Sequence, residues 1–282
     1  MNRQRWWKRG SLALSLAICA MMLNVGPSSA ATELRLMTWN ALTQDSGGGV
    51  ATAEHIWETG ADVVALQEVC EGMLGTIQSE LGDGWQVFYH HASINLKCAR
   101  EPEVNTSFGN AILVRPGVAV RDPIKVDYPA CDPQNDESRS FVAVSVILNG
   151  VPVRVLSTHL GRFGDGTACQ IPLLAQYANS WQRGIIAGDF NIRSVKNIPG
   201  CTRPDQAGCR PDEFDPLIAA QMVNAHPWNY FTVENNREDW NVEPTIKIDH
   251  IFHKGIQRTA RDTPSWNDSS DHRALWMDFT TS

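Results

Sequence analysis

The chain has 282 residues, 43% of them hydrophobic, and shows no repeat or low-complexity segment, so its composition is ample for a packed core and unlike that of a disordered chain. Acidic residues outnumber basic ones by 31 to 24, a formal net charge of −7, which argues against broad electrostatic capture of nucleic acid. A local basic groove or a metal-bridged contact with phosphate is still compatible with this charge.

The first 30 residues have the pattern of a secretory signal peptide. Four basic residues precede an apolar run from Ser11 to Val25, and small residues end the segment at Ala30. A membrane anchor is the competing interpretation, but the run falls short of the ~18 residues that a spanning helix needs. We therefore predict a signal peptide over 1–30, cleaved near Ala30 or Ala31. Removing its basic residues leaves 20 Lys and Arg against 31 Asp and Glu, a net charge of −11.

Six of the seven cysteines lie in the predicted mature chain, an even number that favours disulfides in an exported protein. A zinc site is the alternative, but no Cys-x-x-Cys spacing occurs. We expect three pairs, of which the last flanks an insert rich in proline and glycine: Cys70–Cys98, Cys131–Cys169 and Cys201–Cys209.

The first half of the chain alternates short apolar runs, which predict strands, with stretches that predict helices. The predicted strands are 34–40, 61–69, 85–89 and 108–114. The predicted helices are 51–59 and 73–81, and 90–106 is expected to be irregular.

In the second half, two alternating runs at 141–148 and 151–158 are separated by Asn149-Gly150, a strong hairpin signal. The apolar run that begins at Gly184 predicts a buried strand ending in a turn at Asp189. The remaining predicted elements are helices at 171–181 and 213–222 and strands at 245–253 and 274–279. Many short strands with a few helices between them predict a layered α/β or α+β domain with packed sheets.

Polar side chains recur where predicted strands end. Asp189 and Asn191 should point to the same side of their strand, with Phe190 anchoring the other. A carboxylate at the mouth of a buried strand needs a metal, a donor or a substrate proton, although Gly-Asp and Asn are also ordinary turn residues. Strand ends gathered on one rim would place the whole set in one cleft: Asn40, Glu68, His159, Asp189, Asn191, Asp249, Asp271 and His272.

Six short motifs carry a resemblance to a known family: Thr38-Trp39-Asn40, Leu66-Gln67-Glu68, Ser157-Thr158-His159-Leu160, Gly188-Asp189-Phe190-Asn191, Ile248-Asp249-His250-Ile251 and Ser270-Asp271-His272. In this order and spacing, over 34–279, the chain resembles the endonuclease/exonuclease/phosphatase superfamily with its pancreatic-deoxyribonuclease-like fold. The resemblance implies an α/β, four-layered sandwich of two mixed β-sheets flanked by helices, and a single catalytic domain over 31–282. It also implies Mg²⁺- or Mn²⁺-dependent phosphoester hydrolysis.

The residue types suit that chemistry. Glu68 is a hard oxygen ligand of the kind that Mg²⁺ takes in small number, and its alternative is a solvated glutamate at a strand end. Asn40 could orient the metal or bind phosphate, or it could be a capping asparagine. The resemblance makes Asp271 a further metal ligand.

The same motifs assign the catalytic roles. Asp189 is expected to orient and deprotonate the attacking water, and Asn191 to hold that water or a phosphate oxygen. His159 is expected to donate a hydrogen bond to the phosphate as charge builds. Asp249 and His272 are expected to form a dyad whose carboxylate raises the pKa of the imidazole and favours its cation. The other histidines are expected to be surface or core residues: His55, His90, His91, His226, His250 and His253.

Two further residues are expected to touch substrate. Asn110 lies in a stretch that resembles a family strand bordering the cleft. Arg139 sits where related nucleases place a phosphate-binding arginine, and its alternative is a solvated loop arginine.

Nucleic acid is the expected substrate of a secreted chain of this kind. An insert after the central motif could supply a local basic lip or could be a disulfide-tied surface loop; its basic residues are Arg193, Lys196, Arg203 and Arg210. The alternatives are a sphingomyelin or phospholipid phosphodiesterase, with 228–231 as its apolar cluster, a phosphoinositide phosphatase, and a non-catalytic binding protein. The chain is expected to be a monomer without an obligate protein partner.

Overall fold

The structure is a computed structural model that describes residues 32–43, 48–96, 98, 106–130, 138–161, 164–192, 211–226, 232, 247–261 and 270–281. The predicted signal peptide lies outside these ranges, so its assignment stays a prediction. Within the described ranges, no helix has the length and apolar content needed to cross a membrane.

Twelve strands and four α-helices occupy the described ranges. The strands are β1 (Leu34–Asn40), β2 (Val63–Cys70), β3 (Gln86–Ile94), β4 (Ser107–Val114), β5 (Val120–Asp127), β6 (Ser140–Leu148), β7 (Val151–His159), β8 (Gly184–Asp189), β9 (Val223–Asn224), β10 (Asp249–Lys254), β11 (Gln257–Arg261) and β12 (Leu275–Thr280). The helices are α1 (Gly48–Thr59), α2 (Leu74–Leu81), α3 (Gly164–Asn179) and α4 (Asp215–Ala219).

The strands form two six-stranded sheets, β11-β12-β1-β2-β4-β3 and β5-β6-β7-β8-β10-β9. Each sheet is mixed, because β1 and β2 pair in parallel in the first sheet and β7 and β8 do so in the second. Their other neighbouring strands pair antiparallel.

Three hydrophobic layers hold the sheets and helices together. The central layer lies between the sheets and includes Leu36 from β1, Val144 from β6 and Ile185 from β8. A second layer joins the first sheet to α1 and α2, and a third joins the second sheet to α3 and α4. The order helices, sheet, sheet, helices confirms the predicted four-layered sandwich.

The predicted turn between β6 and β7 is confirmed. Asn149 has φ 52° and Gly150 has φ 76°, so both central residues are left-handed, as the two-residue hairpin turn requires. This turn fixes the register that aligns β6 with β7 along their whole length, from Leu148 opposite Val151 to Phe141 opposite Thr158.

Several element boundaries differ from the sequence predictions. β3 continues to Ile94 through a register shift against β4, so its second half is strand rather than irregular chain. α3 begins at Gly164 instead of residue 171, and α4 is limited to Asp215–Ala219 after a 3-10 turn. Three edge strands were not predicted, namely β5, β9 and β11. β5 and β11 are largely polar and give little apolar alternation, and β9 has only two residues.

The expected pairing of Cys70 with Cys98 is confirmed by an S–S bond of 2.07 Å. Cys169 is also disulfide-bonded. Its expected partner Cys131 and the expected pair of Cys201 with Cys209 lie outside the described residues.

Candidate active site

The ends of β1 and β2 place Asn40 and Glu68 side by side. β1 pairs in parallel with β2 up to Asn40 opposite Gln67, and Glu68 follows within a bulge where the register between β2 and β4 shifts. Both side chains are buried. The Nδ2 amide of Asn40 donates to Oε1 of Glu68 at 3.1 Å and to Oδ2 of Asp189 at 3.1 Å, so it links the two sheets.

The second sheet contributes three neighbouring side chains from three adjacent strands. His159 of β7 lies opposite Asp189 of β8, which lies opposite Asp249 of β10. Gly188 precedes the central carboxylate with φ 153°, and a Cβ there would collide with the carbonyl oxygen of Thr158. Only glycine therefore lets β8 approach β7 closely enough to set His159 beside Asp189.

Asn191 completes this part of the site. Its backbone N–H donates to Oδ1 of Asp189 at 2.8 Å, and its side-chain Nδ2 donates to the carbonyl of Leu160 at 2.8 Å. The same Nδ2 lies 3.1 Å from Nε2 of His159, which is itself 3.3 Å from Oδ2 of Asp189. The structure therefore places Asn191 as a brace for Asp189 and His159.

His272 and Asp249 form a close buried pair. Nδ1 of His272 lies 2.9 Å from Oδ2 of Asp249, and Nε2 lies 3.9 Å from Oδ2 of Asp189. Burial alone would lower the pKa of His272, but the nearby carboxylate of Asp249, with smaller contributions from Asp189 and Asp271, raises it to about 10. The imidazole is therefore protonated on both nitrogens at neutral pH.

The pKa of Asp189 is also raised, but for a carboxyl group this favours the neutral form rather than the charged one. Burial is the main cause, and the negative charge of Asp249 adds to it, so the pKa of Asp189 is raised to about 7 despite the opposing effects of His272 and of two hydrogen bonds. A carboxyl group with this pKa exchanges its proton near neutral pH, as a general base must.

Two sets of side chains have ligand atoms suited to a cation. One is Asp189, Asp249 and His272, whose ligand atoms all lie within 4.8 Å of one another. That set suits a metal poorly, because a protonated imidazole has no free lone pair and would have to lose its proton before binding.

The pair of Asn40 and Glu68 fits a hard cation better. The Oδ1 atom of Asn40 is buried and lacks a hydrogen-bond partner among the described residues, while the Nδ2 atom is engaged with Glu68 and Asp189. An unpaired buried amide oxygen beside a carboxylate is an arrangement that an Mg²⁺ or Mn²⁺ ion would satisfy. Asp271 is partly buried, immediately before His272, and its charge reaches that imidazole.

The two expected substrate contacts are both buried and both lie next to Ser140, and Asn110 is also opposite the bulge that contains Glu68. Asn110 of β4 is buried, donates through Nδ2 to the carbonyl of Ser140 at 2.8 Å, and leaves a buried Oδ1 without a partner in the described chain. Arg139 immediately precedes β6 and is only 4% exposed, so the alternative of a solvated loop arginine is wrong. The basic insert at 193–210 and the apolar cluster at 228–231 lie outside the described residues.

The histidines left out of the site are accounted for by packing and local pairs. His55, His226 and His250 are completely buried, and burial lowers the pKa of His55 and His250. On β3, His90 pairs with Asp127 at 2.9 Å and His91 contacts Ser107 at 2.8 Å. His253 of β10 packs against the ring of Phe279, with the ring centroids 5.4 Å apart.

Four residues support the site without having been assigned a role from the sequence. Gln67 donates to Oγ of Ser157 at 3.0 Å, and this hydroxyl donates to the carbonyl of Leu66 at 3.0 Å, which ties the two sheets together beneath the site. Trp39 Nε1 donates to the carbonyl of His272 at 3.0 Å, and Ser270 Oγ donates to the carbonyl of Asn40 at 2.6 Å. All four belong to the short motifs, which was the only signal for them in the sequence.

Comparisons with known proteins agree with this fold. The chain is 25% identical over 301 residues to an uncharacterised protein from Caenorhabditis elegans, covering 89% of this chain and 93% of that protein. Among solved structures, an endonuclease/exonuclease/phosphatase from Bacteroides vulgatus matches with a TM-score of 0.68 and 15% identity, covering 89% of this chain and 100% of the other. One from Beutenbergia cavernae matches with a TM-score of 0.65 and 19% identity, covering 89% and 72%. Because the model of the Endonuclease/Exonuclease/phosphatase family matches residues 37–272, this chain belongs to that family.

Proposed function

We propose that this chain is a secreted, divalent-metal-dependent phosphodiesterase that acts on nucleic acid. The family acts on phosphoesters, which defines the reaction in outline. The observation that carries the proposal is one connected cluster of polar side chains drawn from both sheets, all buried except the partly buried Asn191: Asn40, Glu68, His159, Asp189, Asn191, Asp249 and His272.

In this proposal Asp189 is the general base. Its raised pKa, about 7, lets it accept a proton from water while it is still largely ionised at slightly alkaline pH. The N–H of Asn191 donates to Oδ1 at 2.8 Å and Nδ2 of Asn40 donates to Oδ2 at 3.1 Å, so both carboxylate oxygens of the base are held in a fixed orientation.

His272 and His159 would stabilise the negative charge that builds on the phosphoryl oxygens. His272 donates one N–H to Asp249 and carries a second proton on Nε2, 3.9 Å from Oδ2 of Asp189. A protonated imidazole next to the base is thus available to donate to the group under attack. His159 lies on the other side of the same carboxylate, within 3.3 Å.

Glu68 and Asn40 would hold the cation, with Asp271 as a further ligand. When bound, Mg²⁺ or Mn²⁺ supplies positive charge that stabilises the developing charge on a phosphoryl oxygen. The unpaired Oδ1 of Asn40 supports this assignment more directly than any other atom in the site.

Secretion is supported by two independent features. The N-terminal 30 residues have the order of basic, apolar and small segments typical of an export signal. The Cys70–Cys98 bond and the disulfide-bonded Cys169 are of the kind that persists in oxidising compartments.

Nucleic acid is favoured as the substrate by the buried Arg139 and by Asn110, which both lie next to Ser140. A guanidinium group binds phosphate through two parallel hydrogen bonds, which suits the repeated phosphates of a nucleic acid. Together with the cation, Arg139 would locally offset the net charge of −11 that the chain carries without its signal peptide.

A phospholipid phosphodiesterase is the second candidate, and one observation favours it. Ile94 and Leu96 are 70% and 79% exposed, and they lie just before Cys98, which is bonded to Cys70 two positions after Glu68. Exposed aliphatic side chains tethered close to the site would suit a substrate with an apolar part.

The test is a direct comparison of substrates. The chain from Ala31 onward is assayed on plasmid DNA, RNA, sphingomyelin and a phosphoinositide, with Mg²⁺ and with a chelator. We expect DNA or RNA to turn over fastest and chelator to abolish the activity. Activity that survives chelation, or that survives in both Asp189→Ala and His272→Ala, would exclude this mechanism.

The double variant Ile94→Ser/Leu96→Ser separates the two substrate classes. If lipid is the substrate, this variant should lose turnover of sphingomyelin vesicles while keeping turnover of a short soluble phosphodiester. If nucleic acid is the substrate, its activity on DNA and RNA should match that of the wild type.

A further inference from the structure

Glu68 has an unusual backbone for a residue that must hold a carboxylate in place. Its φ is +56°, in the left-handed region that residues with a Cβ seldom adopt. This conformation costs about 1–2 kcal/mol for an ordinary residue, so neighbouring groups must hold it. The bulge between β2 and β4 puts Glu68 there, and it turns the side chain toward Asn40 rather than into the ladder.

Thr43 makes three hydrogen bonds around this backbone. Its N–H donates to the carbonyl of Glu68 at 3.2 Å, and its hydroxyl donates to the same carbonyl at 3.1 Å. The hydroxyl oxygen in turn accepts the N–H of Cys70 at 2.8 Å. Thr43 is only 1% exposed, so water does not compete for these bonds.

The position of Thr43 in the chain makes these contacts specific to the site. It lies three residues after Asn40, on the segment that leaves β1, and this segment continues to pair with β2 through Ala41 N–H and the carbonyl of Gln67 at 3.1 Å. The single hydroxyl group therefore bonds the carbonyl of Glu68 and the N–H of Cys70 within the bulged part of β2, and connects this segment to the strand that carries Asn40.

We propose that Thr43 is a positioning residue for the cation site, and that its hydroxyl sets the affinity of Glu68 and Asn40 for a divalent metal. This inference rests on the proposed role of Glu68 as a ligand. Without the hydroxyl, the buried N–H of Cys70 loses this acceptor and the carbonyl of Glu68 loses one of its two hydrogen bonds to Thr43. The peptide after Glu68 is then free to rotate toward ordinary strand geometry, which moves the carboxylate away from Asn40.

The experiment measures Mn²⁺ affinity directly, by the loss of the free-ion electron paramagnetic resonance signal on titration. The proteins compared are the wild type, Thr43→Val, Thr43→Ala and Thr43→Ser. Removing a group that orients a metal ligand typically lowers affinity by about 10- to 100-fold, so we expect this loss in Thr43→Val and Thr43→Ala. Thr43→Ser keeps the hydroxyl and should bind Mn²⁺ within about threefold of the wild type.

Thr59→Val is the matched control. Thr59 is also a buried threonine whose hydroxyl donates to a backbone carbonyl, that of Ile56 at 2.9 Å, but it lies in α1 near the start of β1, away from Asn40. This variant should lose stability comparable to that lost by Thr43→Val and yet bind Mn²⁺ as the wild type does. Urea unfolding of each variant shows that the titrations are made on folded protein.

Glu68→Gln separates a failure of this inference from a failure of the proposed function. If Glu68→Gln binds Mn²⁺ as tightly as the wild type, Glu68 is not a ligand and the proposed metal site is wrong. If Glu68→Gln loses affinity while Thr43→Val and Thr43→Ala keep it, the metal site stands and the role of Thr43 is refuted. Loss of affinity in Thr43→Ser equal to that in Thr43→Val would also refute it, because the hydroxyl would then not be the group that matters.

Discussion

Asp249→Asn should move the pH dependence of catalysis, because Asp249 keeps His272 protonated. In the wild type, burial disfavours the imidazolium, yet the carboxylate 2.9 Å away raises the pKa of His272 from 6.5 to about 10. Asparagine keeps the shape of the side chain but removes the negative charge that favours the imidazolium. The pKa of His272 should then fall far below 10, and the imidazole should be neutral at slightly alkaline pH.

The expected loss of activity follows because a neutral His272 has only one N–H and no longer donates a hydrogen bond both to residue 249 and to the phosphoryl group. Loss of one preorganised donor to a developing anion costs about 3–4 kcal/mol, so kcat at pH 8.5 should fall by about 10²- to 10³-fold. Removing one partner of a buried ion pair also costs on the order of 3–5 kcal/mol of stability, since the other group is left buried and unpaired. The loss of activity and the loss of stability both result from removing the charge of one carboxylate, that of Asp249, which is only 1% exposed.

The stability effect has a defined sign. The folded pKa of His272 lies above the unfolded value, so its contribution to stability is complete below about pH 6.5 and is lost as the pH rises toward about 10. The contribution of His272 should therefore make the wild type unfold at a lower urea concentration at pH 9.5 than at pH 6.5. In Asp249→Asn this difference should shrink.

The assay is kcat/KM for a chromogenic phosphodiester from pH 5.5 to 9.5, together with urea unfolding at both ends of the range. Wild-type activity should rise through about pH 7, as Asp189 ionises, and then stay level to pH 9.5. Asp249→Asn should instead decline within the alkaline part of the range. Asp278→Asn is the matched control, because it removes a carboxylate that pairs with Arg35 at 2.7 Å in the first sheet, whereas Asp249 lies in the second sheet. An Asp249→Asn profile as level as that of the wild type up to pH 9.5 would refute the reasoning.

Three further results are expected. Asp189→Asn should lower kcat by about 10²- to 10⁴-fold and abolish the rise near pH 7, measured in the same pH series, whereas a retained rise would assign that ionisation to another group. Replacing both Cys70 and Cys98 by alanine should lower the free energy of unfolding, measured in urea, by about 3–4 kcal/mol, because the bond closes a loop of 28 residues. An unchanged free energy would mean that the disulfide does not restrict the unfolded chain. Gln67→Leu should lower the free energy of unfolding in urea by about 1–3 kcal/mol, because buried polar partners such as Ser157 are left unsatisfied. A variant as stable as the wild type would show that apolar packing alone holds the sheets together.

The strands at the centre of the sheets could be predicted from sequence. β1, β2, β8 and the β6–β7 hairpin are fully buried or bounded by clear turn residues, so their apolar runs are unambiguous. The edge strands could not be predicted in the same way. β5, for instance, contains Pro123 and has mostly exposed residues, and what makes it a strand is the partner β6 rather than its own pattern.

The candidate site, like the sheets, could be predicted from sequence only in part. The residue types at strand ends, read together with their resemblance to a family, identified the side chains that the structure brings together around Asp189. Their contacts depend on long-range pairing, such as the parallel register that sets His159 beside Asp189. Local sequence carried no sign of the left-handed backbone of Glu68 or of the hydrogen bonds of Thr43, because both arise from the bulge between two strands far apart in the chain.

The pairing of the first strand with the last has a consequence for biosynthesis. β1 lies between β2 and β12, and His272 sits just before β12, so the cluster that begins with Asn40 receives its final member only near residue 272 of 282. During synthesis the cluster therefore stays incomplete until the chain has been extended through His272. A chain truncated before this residue lacks the imidazole that pairs with Asp249.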